Sequence, residues 1–149
     1  MSTEQSVTPY IVTKGASKAI DFYRNAFGAT ELFRMTDPSD SGKIGHAELQ
    51  MGGSILYLAD EYPDFGAISP DTLGGTAVTL HLRVEDCDAA TERAEQAGAM
   101  VLRRPKTQSF GDRNAVVQDP FGHRWMLGQV VEEMAPEEMQ RRWEAETGG

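Results

Sequence analysis

Residues 8–32 read TPYIVTKGASKAIDFYRNAFGATEL, and residues 79–102 read TLHLRVEDCDAATERAEQAGAMVL. Each stretch begins as a strand of alternating residues, continues as an amphipathic helix of about three turns, and ends in a glycine and a second apolar run. When the two are aligned, Gly28 matches Gly98 and Leu32 matches Leu102. The two stretches therefore predict an internal repeat that begins strand–helix–strand.

The repeat continues beyond these stretches. HAELQMGGSILYL at 46–58 aligns with NAVVQDPFGHRWML at 114–127, with one extra residue in the second copy. In each copy a turn-forming segment, Met51-Gly52-Gly53 or Asp119-Pro-Phe-Gly122, separates two strand-like runs. The sequence therefore predicts an α+β chain built from two βαβββ modules of about 60 residues each.

The repeat divides the chain into five predicted segments. These are an N-terminal tail at 1–6, the first module at 7–59, a linker at 60–75, the second module at 76–131, and an acidic C-terminal helix and tail at 132–149. The linker is rich in Pro, Gly and Asp. A loop of this length is typical of a lid, a binding loop or a crossover between modules.

The charge of the chain limits its partners. It carries 23 Asp and Glu against 14 Lys and Arg in 149 residues, a net charge of −9. Residues 132–149 hold six acids and two bases. Pro136 predicts the start of a helix in this segment, and Met139 and Trp143 are expected to dock that helix on the rest of the protein. The acidic balance argues against nucleic acid and anionic membrane surfaces as partners, and leaves neutral or cationic ligands open.

The sequence carries no signal for secretion or for a disulfide framework. Its first residues lack the basic segment and apolar run of a signal peptide, and no apolar stretch approaches the roughly 18 residues of a membrane span. Cys87 is the single cysteine and is predicted to be a small buried residue. We therefore expect a cytoplasmic protein.

Alternation divides the strand residues into two faces. One parity is apolar and is predicted to pack against the helices: Ile11, Ala47, Leu49, Met51, Leu56, Leu58, Leu80, Leu82, Trp125 and Leu127. The other parity mixes polar, charged and aromatic residues, among them Tyr10, Tyr57 and Met126. It either meets water or, if the two sheets curve toward each other, lines a cavity. The apolar members favour the cavity.

Several motifs occur in order along the chain. Ala19-Ile-Asp-Phe-Tyr23, Ala26-Phe-Gly28 and Asp119-Pro-Phe-Gly122 resemble motifs of the vicinal oxygen chelate superfamily, which includes glyoxalase I, extradiol dioxygenases and bleomycin-resistance proteins. Further segments are similar to the PhnB-like branch: Val7-Thr-Pro-Tyr10, Gly45-His-Ala-Glu-Leu49, Phe110-Gly-Asp-Arg113 and Asp119-Pro-Phe-Gly-His-Arg-Trp125. The resemblance covers about residues 7–145 and does not by itself fix a reaction.

The resemblance implies a cupped mixed sheet around a cavity and a homodimer, sometimes with modules exchanged between chains. In glyoxalase-type members, one residue on the first strand and one on the last strand of each module bind a divalent metal. Those positions fall on Thr8, Tyr57, Thr79 and Met126. None of them supplies the imidazole or carboxylate that such metals prefer. The usual metal site is therefore predicted to be absent, and no cofactor is expected.

The mixed face holds the predicted ligand-binding residues: Tyr10, His46, Glu48, Tyr57, His81, Arg83 and Met126. His81 and Glu48 are the candidate catalytic acid–base groups, although His81 fits a purely structural role equally well. Arg83 is expected to pair with Glu48 or with an anionic group of a ligand. His46, Glu48 and His81 together are the fallback ligands for a non-standard divalent metal; otherwise Glu48 holds His46 or an arginine in place.

Three functional hypotheses follow. The first is a metal-free small-molecule binding protein of the bleomycin-resistance type, whose ligand is cationic. The second is a lyase or isomerase that acts on a small metabolite, in which His81 or Glu48 moves a proton. The third is a structural or regulatory dimer whose cavity is filled by side chains.

On the linker, Tyr62 and Phe65 either cap a ligand or anchor the loop.

Overall fold

The computed structural model describes residues 3–148, and the chain divides into two compact units, the first ending at Thr76 and the second beginning at Ala77. Each unit contains one four-stranded mixed sheet and a helix that packs on that sheet. The α+β fold built from two βαβββ modules, predicted from the internal repeat, is confirmed.

The first unit forms its sheet in the order β1-β4-β3-β2. β1 and β4 are parallel, whereas the other neighbouring pairs are antiparallel. Its elements are β1 (Tyr10–Thr13), α1 (Ala16–Phe27), β2 (Thr30–Thr36), β3 (Ile44–Met51) and β4 (Ser54–Asp60), followed by a 3₁₀ turn (Pro63–Phe65) and a short α2 (Pro70–Leu73).

The second unit repeats this arrangement, with its sheet in the order β5-β8-β7-β6 and β5 parallel to β8. Its elements are β5 (Thr79–Arg83), α3 (Cys87–Ala97), β6 (Met100–Thr107), β7 (Asp112–Gln118), β8 (Arg124–Val130) and α4 (Pro136–Thr147). The same strand order in both units explains the alignment of the two halves of the sequence.

The predicted apolar face is the core of each unit. In the first unit, Ala47, Leu49 and Leu58 are fully buried beneath α1. In the second, Trp125 and Leu127 are buried in the same way. The exceptions are Leu80 and Leu82 of β5, which are only half-buried. Helix α3 packs mainly on β6, β7 and β8. It also buries only small side chains, namely Cys87, Thr91 and Ala94.

Cys87 is buried, as predicted, at the start of α3. Its Sγ donates to the carbonyl of Leu127 at 3.4 Å, and burial raises the pKa of the thiol. A thiol held in its protonated form is a poor nucleophile. Cys87 therefore acts as a core residue.

The carboxylate of Asp60 connects three elements of the first unit. Its Oδ1 accepts hydrogen bonds from the backbone amides of Gly15 and Ala16 at 2.9 and 2.8 Å, and its Oδ2 accepts one from Ile44 at 2.7 Å. Gly15 and Ala16 begin α1, whose first amides have no partner within the helix. In the second unit the aligned residue, Gln129, accepts from the amide of Cys87 at 2.9 Å. The last strand of each module therefore caps the module's helix.

The C-terminal helix α4 is held by polar contacts. Met139 and Trp143 are 38% and 52% exposed, so neither side chain is a fully buried anchor. Arg142 instead binds the carboxylate of Glu132 at 3.0 and 2.8 Å, and Ser109 donates to Glu146. In the described part of the chain, α4 included, no helix is long and apolar enough to cross a lipid bilayer.

Replacement of Asp60 by alanine should lower the free energy of unfolding by about 3 kcal/mol or more, because buried backbone amides lose their acceptor. Denaturant unfolding followed by circular dichroism measures this loss. Asp64→Ala, at an exposed position in the 3₁₀ turn, is the control and should stay within about 0.5 kcal/mol of the parent. Equal effects of the two changes would contradict the capping role.

Candidate functional site

The sheet face of the first unit that points away from α1 carries a cluster of polar and aromatic side chains. Strand register places Tyr10 opposite Tyr57, Tyr57 opposite Glu48, and Glu48 opposite Phe33. His46 lies two residues before Glu48 on the same strand, so the two share this face. These five residues, here called the Tyr10 cluster, span all four strands of the sheet.

A chain of hydrogen bonds runs through the Tyr10 cluster. The hydroxyl of Tyr10 lies 2.6 Å from Nδ1 of His46, and Nε2 of His46 lies 2.9 Å from Oε2 of Glu48. Burial, and then the negative charge of Glu48, raise the pKa of the Tyr10 phenol. With a neutral imidazole, the phenol donates to Nδ1 and the N–H at Nε2 donates to Glu48. Both nitrogens of His46 are engaged.

The rings of the cluster pack edge to face. The Tyr10 and Tyr57 ring centroids lie 5.6 Å apart at 80°, and those of His46 and Tyr57 lie 5.0 Å apart at 69°. Phe33 adds a third contact to His46, with centroids 5.9 Å apart. Such contacts fix ring orientation. The Glu48 carboxylate, with its side chain 22% exposed, therefore lies beside a wall of ordered aromatic rings.

Phe33 reaches this face through an irregularity that the sequence analysis missed. The pairing of β2 with β3 shifts between Glu31 and Phe33, so one extra residue lies in β2 and the alternation of faces changes there. The corresponding shift in the second unit lies between Val101 and Arg103. The internal alignment, which matches Phe33 with Arg103, could have suggested that both residues occupy equivalent positions.

The residues of the Tyr10 cluster do not fit the divalent metal bound by some members of the resembling superfamily. Thr8 and Tyr57 occupy the metal positions and offer only hydroxyl groups, while His46 has no nitrogen free for a metal. Among residues 3–148, no group of three His, Cys, Asp or Glu is close enough together to hold a metal ion. The fallback ligand set of His46, Glu48 and His81 draws on both units and stays a prediction.

His81 lies on the corresponding face of the second sheet, opposite Met126 in the strand register. Its imidazole lies directly over Gly128: a Cβ at Gly128 would be 2.5 Å from Nε2 of His81 and 3.3 Å from Oδ2 of Asp112. Gly128 therefore makes room for the ring. The sequence analysis missed this glycine, although a glycine inside a strand is a known signal of close approach.

Asn114 is a second residue that the sequence analysis missed. It occupies the position aligned with His46 and is 4% exposed. Its side-chain amide donates to Asp112 at 3.0 Å, and its carbonyl oxygens accept from Arg103. In the second unit, a closed polar network thus replaces the aromatic cluster of the first.

The other predicted site residues have different surroundings. Arg83 is exposed at the end of β5 and forms no ion pair with another described residue of its own unit. Its predicted pairing with Glu48 involves both units and stays a prediction. Arg113 binds Asp88, which precedes it by 25 residues, at 3.2 and 2.8 Å. Its role is structural.

Tyr62 anchors the linker to its own unit. Its hydroxyl donates to Asp37 at 2.8 Å, and Nζ of Lys43 lies 4.2 Å from the ring centroid. Burial and the Asp37 carboxylate raise the pKa of Tyr62 to about 12. Phe65, by contrast, is 86% exposed. Of the two linker aromatics, Tyr62 holds the loop, and capping of a ligand by Phe65 stays a prediction.

The sequence of this chain is similar to a known protein family and to proteins from bacteria and plants. A family model described as the Glyoxalase/Bleomycin resistance protein/Dioxygenase superfamily matches residues 6–127. A Mycobacterium tuberculosis protein is 42% identical over 152 residues, which cover 100% of this chain and 88% of the relative. An Arabidopsis thaliana protein is 28% identical over 118 residues, covering 74% of this chain and 69% of the relative.

Solved structures share the fold at low sequence identity. TioX from Micromonospora sp. ML1 superposes with a TM-score of 0.64 at 24% identity, covering 88% of this chain and 100% of TioX. A glyoxalase-related enzyme from Fulvimarina pelagi has a TM-score of 0.66 at 23% identity, and the match covers 85% of this chain and 88% of that enzyme. The PhnB protein of Bacillus cereus has a TM-score of 0.64 at 18% identity, and the match covers 84% of this chain and 99% of the PhnB protein.

The position of Tyr10 leads to a pH-dependent prediction. Replacement of Glu48 by glutamine should lower the pKa of Tyr10, because the negative charge is removed, yet leave it above the ordinary value near 10, because burial remains. Alkaline titration of tyrosinate absorbance, with the Tyr10→Phe variant subtracted, isolates this group. An unchanged Tyr10 titration in Glu48→Gln would contradict the proposed coupling.

The contact between His81 and Gly128 leads to a second prediction. Gly128→Ala should displace the His81 imidazole at a cost below about 1 kcal/mol in stability, because a side chain can move where backbone cannot. Histidine NMR spectra should show a changed His81 resonance and unchanged His46 and His123 resonances. Gly53→Ala, at a position with open space around it, is the control and should leave all three unchanged.

Proposed function

Because the chain belongs to the Glyoxalase/Bleomycin resistance protein/Dioxygenase superfamily, we propose that it binds a small organic cation at the Tyr10 cluster, without the usual glyoxalase metal. The single observation that carries this proposal is the Glu48 carboxylate held beside a wall of aromatic rings. Aromatic faces and a carboxylate are the groups that recognise ammonium and related cations.

The electrostatics of the Tyr10 cluster favour a cation over an anion. Tyr10 is 51% exposed and Phe33 45% exposed, so their rings are accessible to a ligand. The negative charge of Glu48 adds to the attraction of the ring faces, and the net charge of −9 on the whole chain acts in the same direction. A neutral ligand would contact the aromatic rings but would lack the electrostatic attraction to Glu48.

The hydrogen-bond chain also supports a preorganised binding surface. Tyr10 and Glu48 hold His46 from both sides, and ring packing restrains Tyr57. Because these side chains are ordered before a ligand arrives, binding costs little side-chain entropy. The same bonds leave His46 without a free nitrogen for a metal or for nucleophilic attack.

A second candidate function is a lyase or isomerase acting on a small metabolite. The observation that favours it is the same Tyr10–His46–Glu48 chain, since a carboxylate that orients an imidazole beside a hydroxyl can relay a proton. His81 is then the predicted acid–base group of the second unit, and its loss should abolish turnover. The binding function ranks first because His46 is bound at both ring nitrogens.

The proposal extends to the state of the protein in the cell. We expect a homodimer in the cytoplasm, with a small molecule as its partner. The predicted cavity between sheets, to which Arg83 and Met126 would contribute, belongs to this expectation.

A calorimetric titration with benzyltrimethylammonium tests the binding function. Glu48→Gln should weaken binding by about tenfold or more, since it removes the charge and leaves the shape unchanged. Glu95→Gln, on the exposed surface of α3, is the matched control and should leave the affinity unchanged. A neutral isostere of the probe that binds as tightly as the cation would contradict cation recognition.

A further inference from the structure

The second unit contains a pocket whose lining includes no residue of the Tyr10 cluster. Its volume is about 480 Å³, within the range of small-molecule sites. It lies where the end of β5, the β6–β7 turn, the end of β8 and α4 come together. Its lining residues are Arg83, Phe110, Gly111, Asp112, Val130, Glu132, Glu133, Met134 and Met139.

Four apolar side chains form part of the pocket wall. Phe110 comes from the β6–β7 turn, Val130 from the end of β8, Met134 from the following segment and Met139 from α4. Methionine side chains adapt their shape to apolar guests. The walls therefore suit a branched or aromatic group of moderate size.

Two of the carboxylates in the pocket are already engaged. Glu132 binds Arg142 at 3.0 and 2.8 Å, and this guanidinium holds the pKa of Glu132 below its usual range. Asp112 accepts from Asn114 at 3.0 Å. The Arg142 guanidinium therefore compensates the charge of Glu132, whereas Asp112 keeps acceptor positions that its bond to Asn114 does not use.

Arg83 and Glu133 differ from these carboxylates. Within the described residues of the second unit, neither forms an ion pair or a side-chain hydrogen bond, although both line the pocket. Both side chains are exposed and solvated by water, so the pocket presents a guanidinium and a carboxylate that a ligand can contact.

We propose that this pocket binds an apolar α-amino acid, with its carboxylate on Arg83, its ammonium on Glu133 and its side chain between Phe110 and Met139. A simple cation would leave Arg83 without a partner, and a simple anion would meet the carboxylates of Glu133, Asp112 and Glu132. A zwitterion with an apolar group satisfies both free charges at once. This site does not depend on the proposed function of the Tyr10 cluster.

Occupation of the pocket should also affect α4. Met139 is on α4, and the helix is otherwise held by Arg142 and Glu146. A ligand that contacts Met139 adds an apolar contact between α4 and the sheet. The fluorescence of Trp143, which is 52% exposed on the same helix, should therefore change on binding, measured in a Trp125→Phe background.

Calorimetric titration of the full chain with L-phenylalanine tests the site, with phenethylamine and 3-phenylpropanoate as probes that each lack one charge. L-Phenylalanine should bind about tenfold or more tightly than either analogue. In Arg83→Met, L-phenylalanine should bind no more tightly than phenethylamine. In Glu133→Gln, it should bind no more tightly than 3-phenylpropanoate. Equal affinity for the three probes, or no binding of L-phenylalanine and L-leucine, would overturn the proposal.

Matched variants separate this site from other effects. Lys106→Met and Glu137→Gln remove exposed charges elsewhere in the second unit and should leave the affinity for L-phenylalanine unchanged. Glu48→Gln should also leave it unchanged while it weakens binding of the ammonium probe, so failure of one site is distinguishable from failure of the other. An equal loss of L-phenylalanine binding in Lys106→Met and Arg83→Met would overturn the assignment to Arg83.

Discussion

The buried carboxylate of Asp60 is the constraint on which the first unit depends. One side chain at the end of β4 supplies acceptors for the first amides of α1 and for the amide at the start of β3. Each of these amides would otherwise be left without an acceptor at considerable cost. The bonds fix α1 against one face of the sheet, and so determine that the opposite face carries the Tyr10 cluster. Gln129 has a smaller version of this role for α3.

The two modules keep the same packed face and differ on the open one. The helix side is apolar in both, because packing of the helix on the sheet removes that face from water. The open side carries His46 in the first module and Asn114 in the second, with Phe33 and Arg103 at another aligned position. The first has become an aromatic surface beside a carboxylate, and the second a closed polar network. Function in this fold resides in such faces, which is why membership of the superfamily does not identify a reaction.

The polar chemistry of the chain is governed by how completely each group is satisfied. His46 is bound at both nitrogens, so it contributes order to the binding surface and not a metal bond. The Asn114 side chain donates to Asp112 and accepts from Arg103 and Gln108. Within the described residues of the second unit, Arg83 and Glu133 form no ion pair and no side-chain hydrogen bond, and both line one pocket. Exposed charges beside apolar side chains can bind a ligand that brings the opposite charges.

The sequence by itself determined the repeat, the two βαβββ modules, the turns, and the apolar face with Trp125 in the core, because strand alternation, helix periodicity and glycine turns are local signals. It also placed Tyr10, His46, Glu48 and Tyr57 on one face. Only the tertiary structure decided that Tyr10 and Glu48 bond to opposite sides of His46, that irregular pairing turns Phe33 to that face, and that Gly128 accommodates His81. These features depend on register and on distances across strands, which residue order alone does not specify.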